Sequence, residues 1–112
     1  MSYWTQPLMK EKSAIKQQIE KADEIVAKVA AFYGISNKLI RGKSRQKEFV
    51  KARWIAMYFI RQQTQFTLKT IGDMFGRDHT TVIHALETIK DIMSLHYDTD
   101  FKDDLIKIQR FI

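Results

Sequence analysis

IGDMFGRDHTTVIHAL, residues Ile71 to Leu86, is the stretch on which the reading of this chain turns. Two segments of helical period meet in it at Gly76. Before the glycine, Leu68, Ile71 and Phe75 fall on one face of a short helix. After it, Val82, Ile83, Leu86, Ile89 and Met93 repeat the period over a longer run. Thr67 and Asp78 stand where N-caps are expected, and the Asp78 carboxylate also suits the positive end of a helix. A short helix, a tight turn with Gly and a second helix form a helix-turn-helix pattern. Val82, Ile83 and Leu86 are expected in the core.

The second helix opens on Asp78, His79, Thr80 and Thr81, four polar side chains in a row. Paired threonines carry a helix-propensity cost that a solvent-facing start has no need to bear. A start aimed into a DNA major groove can use all four. A carboxylate accepts from a cytosine amino group, and Thr and His can meet a thymine methyl or base-edge hydrogen bonds. The first residues of the second helix are also those that reach the bases in helix-turn-helix proteins.

GRDHTTVIHA resembles the signature of the DNA-binding domain of the DnaA family of bacterial chromosomal replication initiators. VAKVAAFYGIS and KARWIAMYF resemble the family upstream, so the likeness covers roughly Ile25 to Ile92. The family usually has two residues between the Phe and the Arg; here only Gly76 separates Phe75 from Arg77. The resemblance implies an all-α, multi-helix domain of TrpR-like, DnaA C-terminal type at residues 25–112, with residues 1–24 as an arm or an extension of the first helix. It implies base contacts from Asp78, His79, Thr80 and Thr81, with Thr81 and Arg77 also supporting or touching the backbone. It further implies phosphate and minor-groove contacts from a basic loop at 41–47. There Lys43 and Arg45 match basic family positions, and Lys47 stands where a minor-groove Arg is usual. Arg53 matches another, as a phosphate contact or a structural ion pair. The expected partner is double-stranded DNA, bound by a monomer, in replication initiation or its regulation and in a cytoplasmic, nucleoid-associated setting. The family initiator is an ATPase, and 112 residues leave no room for that domain.

Charge supports the same reading independently. The formal net charge is +6. Residues 38–53 hold seven basic side chains against the single acid Glu48, so the entire excess sits in this window and the remainder is balanced. A concentrated basic patch is the footprint of a polyanion binder. Its alternative use is to dock an acidic protein partner, which would make the chain an all-α interaction module.

Other classes find little support. The length allows one domain. With no cysteine there is no disulfide framework or thiolate metal site. No apolar run approaches a membrane span, and the start lacks a signal-peptide core. No nucleophile–base pair or carboxylate pair has a useful spacing, so no enzyme, cofactor or metal is expected. His79 and His84 lie five apart, on different helix faces, and His84 reads as a packed or partly buried histidine. Gly42-Lys43-Ser44 mimics the end of a phosphate-binding loop, but Asn37 stands where its first Gly is needed. Trp54, Met57, Tyr58, Phe59, Met74 and Phe75 read as core. Elsewhere the period predicts a first helix ending at Gly34 with Ile15, Ile19, Ala22, Val26, Val29, Ala30 and Tyr33 on its face. A brief turn capped by Ser36, a helix over 48–63, a break at 97–100 and a final amphipathic helix complete the chain.

Overall fold

A computed structural model describes the backbone of residues 5–95 and 99–112 and the side chains of 13–94 and 100–112. The arm aromatics Tyr3 and Trp4, His96 and residues 97–98 of the expected break lie outside the described residues, whereas the last two residues of that break, Thr99 and Asp100, are already helical. Among the described residues six helices follow in order: α1 Thr5–Tyr33, α2 Asn37–Arg41, α3 Lys47–Gln63, α4 Leu68–Met74, α5 His79–Leu95 and α6 Thr99–Gln109. None of them is long and apolar enough to cross a membrane.

The boundaries follow from local chemistry. At the end of α1, the Gly34 and Ile35 amides return to the Ala31 and Ala30 carbonyls, a paired closure that satisfies end carbonyls of the helix. Ser36 Oγ caps α2 by accepting from the Leu39 amide at 3.1 Å, and Thr67 caps α4 through the Thr70 amide at 3.1 Å. The phosphate-loop mimic is no such loop, because residues 37–41 are helical.

Helix α3 is the axis of packing and touches α1, α2, α4 and α5. Its buried face is Ala52, Ile55, Ala56, Met57, Phe59 and Ile60. Against it lie Ile25, Val26 and Val29 of α1, Ile71 and Phe75 of the helix-turn-helix, and Val82, Ala85 and Ile89 of α5. Ile83 and Leu86 are only half-buried, so Val82 and Ala85 carry the core contact expected of Val82, Ile83 and Leu86. Met57, Phe59 and Phe75 are buried as expected, while Trp54, Tyr58 and Met74 flank the core.

At the far end, Asp104 of α6 accepts from the Tyr33 hydroxyl at 2.7 Å and pairs with Lys51 at 2.9 Å. Burial, with the Asp104 carboxylate beside it, raises the Tyr33 phenol well above its ordinary range, so this tie between α1, α3 and α6 uses a neutral tyrosine. Helix α1 passes residue 24 without a break. Its core face begins at Ala22, whereas Ile15 and Ile19 remain about half exposed (54% and 48%). The apolar stripe of α1 therefore continues beyond the helices that cover it.

Candidate nucleic-acid interface

The turn between α4 and α5 is closed by backbone. The Gly76 amide donates to Asp73 O at 3.3 Å and the Arg77 amide to Gly72 O at 2.9 Å. Gly76 has φ +63°, the left-handed conformation that this closure requires and glycine adopts without strain. A turn with Gly76 alone between Phe75 and Arg77 thus forms a regular helix end. It folds back tightly: a Cβ at Gly72 would lie 2.5 Å from Arg77 O and 3.1 Å from Asp78 O. Only a residue without a side chain fits beneath the turn. A glycine in a helix interior costs about 0.8–1 kcal/mol relative to alanine, and that misfit was the signal that could have exposed the role of Gly72.

The α5 start is built on one oxygen. Asp78 Oδ1 accepts from the Thr81 amide at 3.0 Å, the Thr81 hydroxyl at 3.1 Å and the Thr80 hydroxyl at 2.6 Å. These bonds hold its carboxyl below the usual carboxylate range, the Thr80 hydroxyl most strongly. Asp78 therefore caps the helix as expected, and Oδ2 stays outside this bond set. Asp78, His79 and Thr80 are exposed, and Thr81 is half-buried.

The basic loop between α2 and α3 is held by two arginines. Arg53 donates through Nε to Ile40 O at 2.9 Å and through Nη2 to Gly42 O at 2.8 Å and Ser44 O at 3.2 Å. Arg77, from the helix-turn-helix turn, donates to Phe75 O at 2.5 Å and to the same Gly42 O at 3.0 Å. One carbonyl thus joins the loop to the turn. Burial pulls the Arg53 guanidinium below its ordinary range, and the Arg77 charge adds to this.

This geometry corrects two expectations. Arg53 is 2% exposed and turned onto carbonyls, so in this conformation it offers no surface to a phosphate and joins no ion pair. It lies on the apolar face of α3, and its charge is satisfied by the loop that it organises. His84 is exposed rather than packed away. Its ring stands edge-on to Trp54 with centroids 5.4 Å apart, off the Val82–Ala85–Ile89 face.

Lys43, Arg45 and Lys47 are exposed. A cleft of about 370 Å3 is lined by Lys43, Ser44 and Arg45 of the loop, by Val50, Arg53 and Trp54 of α3, and by Gly76 and Arg77 of the turn. The basic loop therefore shares one surface with the turn that immediately precedes the polar segment Asp78–Thr81. Lys47 is the first residue of α3, where the positive end of the helix disfavours a cation by about 0.3–1 kcal/mol. An anion bound there would relieve that cost.

The family model described as "Bacterial dnaA protein helix-turn-helix" matches residues 22–89. The chain belongs to that family. It is similar to the chromosomal replication initiator protein DnaA of Limosilactobacillus reuteri, 44% identical over 86 residues, which is 76% of this chain and 19% of that protein. The DnaA 1 protein of Chlamydia pneumoniae is 43% identical over 67 residues, 60% of this chain and 15% of that one. The Herpetosiphon aurantiacus protein is 37% identical over 90 residues, 80% and 19%. The chain thus spans about a fifth or less of the curated relatives it matches. Helix α4, the turn and the first eleven residues of α5, with Gly72, Gly76, Arg77 and the Asp78 cap, lie within the region matched by this DnaA helix-turn-helix family.

Proposed function

We propose that the chain binds double-stranded DNA at sites of DnaA-box type, with residues 25–112 as the binding unit and residues 1–24 as an N-terminal arm or helix extension. The start of α5 enters the major groove. There His79 and Thr80 face base edges, Asp78 offers Oδ2 to a cytosine amino group, and Thr81 sits closer to the backbone. Lys43 and Arg45 hold phosphates. Lys47 neutralises the adjacent minor groove, where it lacks the planar fork of an arginine and reads width more weakly. Arg53 and Arg77 position the loop from within, and Arg77 lies near enough to the cleft to meet a phosphate.

The observation that carries this reading is the shared Gly42 carbonyl. It sets the basic loop at a fixed place beside the first turn of α5, so that one duplex can meet both. The biological setting we propose is replication initiation or its regulation, with one monomer on one asymmetric site. ATP-driven steps are not assigned to these residues.

Fluorescence anisotropy at moderate salt tests this with two duplexes of equal length, one carrying a consensus DnaA box and the other its scramble. Clear preference for the box supports the reading. Equal binding to both would leave a basic loop that holds phosphates and refute base readout by α5.

A further inference from the structure

Beside the proposed DNA surface, α3, α5 and α6 line a second groove of about 460 Å3 whose apolar floor the DNA reading leaves unused. Its floor is apolar: Val50 and Trp54 of α3, Ile92 of α5 and Phe101 of α6. Its rim is basic, made by Arg45, Lys47 and Lys51. Lys51 is committed to Asp104 at 2.9 Å and lies over the Phe101 ring at 5.2 Å. Arg45 and Lys47 make no ion pair among the described residues. The volume falls in the range of ordinary binding pockets, about 300–1,000 Å3. An apolar floor under uncompensated positive charge selects a ligand with the opposite pattern: apolar side chains on one face, carboxylates along its edge.

We infer that this groove docks an acidic amphipathic helix of a protein partner, and that the partner competes with DNA. The competition follows from shared residues. Arg45 and Lys47 form the rim of the groove and belong to the phosphate-holding loop, so a carboxylate paired with either removes it from the duplex. Occupying the groove would thereby switch off DNA binding without touching residues 78–81 at the start of α5. The antagonism rests on the DNA reading; the docking itself does not.

The full chain carrying Trp4→Phe makes Trp54 the sole tryptophan and its emission a reporter of the groove. The probe is a synthetic 16-residue peptide of Leu, Phe and Glu with apolar residues at i, i+3, i+4 and i+7. Controls are the same composition shuffled and polyglutamate of equal length. The patterned peptide should shift Trp54 emission to the blue in the absence of DNA and raise the apparent Kd for a labelled duplex at least tenfold. Thr88→Phe, which fills the groove wall, should weaken the peptide at least tenfold and leave duplex binding within twofold. Val50→Glu, which adds a like charge to the floor, should weaken the peptide in the same way if Thr88→Phe does not fold. Equal effects from the shuffled peptide or polyglutamate would reduce the groove to bulk charge and overturn the proposal. So would a Trp54 shift produced by anionic vesicles or single-stranded DNA but not by the peptide. A peptide-induced shift without duplex displacement would overturn the antagonism alone.

Discussion

Replacing Arg53 separates holding a loop from holding a phosphate. Its two donor nitrogens make three bonds, one to Ile40 O of α2 and two to loop carbonyls, the latter both served by the same Nη2. Counted as two charge-assisted bonds at about 1.5 kcal/mol each, they contribute about 3 kcal/mol, reduced by the desolvation that depresses the guanidinium. Arg53→Met keeps the stem and removes the donors, so it should destabilise the fold by about 2–3 kcal/mol in a urea melt. The loop would then be ordered on binding rather than beforehand, at about 1–2 kcal/mol for each residue fixed. One residue's worth lowers affinity roughly five- to thirtyfold. The slope of log K against log salt should not change, because no phosphate contact is lost. Arg53→Lys retains the charge but lacks the fork that spans Ile40 O and Gly42 O, and should recover little stability. A variant of unchanged stability whose salt slope falls by about 0.9 would show that Arg53 meets a phosphate directly and refute the argument.

Four further outcomes follow from the same geometry. Lys47→Ala and Arg45→Ala should each lower affinity for box and scramble alike and reduce the salt slope by about 0.9, read from anisotropy titrations across salt. His79→Ala should cost about 1–3 kcal/mol on the preferred duplex and relax base choice at one position, seen by comparing single-substitution duplexes. Gly72→Ala should destabilise more than Gly76→Ala in thermal melts, since the former drives a Cβ against Arg77 O while the latter incurs only a left-handed strain of about 1–2 kcal/mol. The Asp78 carboxyl is depressed when folded, so its stabilisation is present above the ordinary aspartate range and is lost as pH falls through its own lower value. Asp78→Asn should flatten that acid limb in urea melts run from about pH 6 to about pH 3.

Much of this was legible in residue order. The caps at Ser36, Thr67 and Asp78 need only a side-chain oxygen at the right offset, which is local information. The helix-turn-helix was visible because its apolar period breaks at one glycine and resumes. Three features were not legible, for a common reason: each depends on what another part of the chain places against it. Arg53 sits on the apolar face between Phe49 and Ala56, but its charge argues for the surface until the loop carbonyls are seen. Gly72 is unremarkable until the turn folds over it. His84 follows the α5 period closely enough to suggest burial, and only the rotation of α5 on α3 leaves it beside Trp54.

The shared Gly42 carbonyl bears on how this scaffold can be re-engineered. If the start of α5 reads bases as proposed, a graft that changes only His79 and Thr80 leaves the Asp78 cap and the loop's anchor intact and should import a new sequence preference with its register preserved. A graft that reaches back to Arg77 and replaces it cuts a tether to a segment 35 positions away in the chain. The transplantable unit is therefore discontinuous: residues 42–53 travel with residues 72–81, or the donor's specificity arrives on a loosened frame.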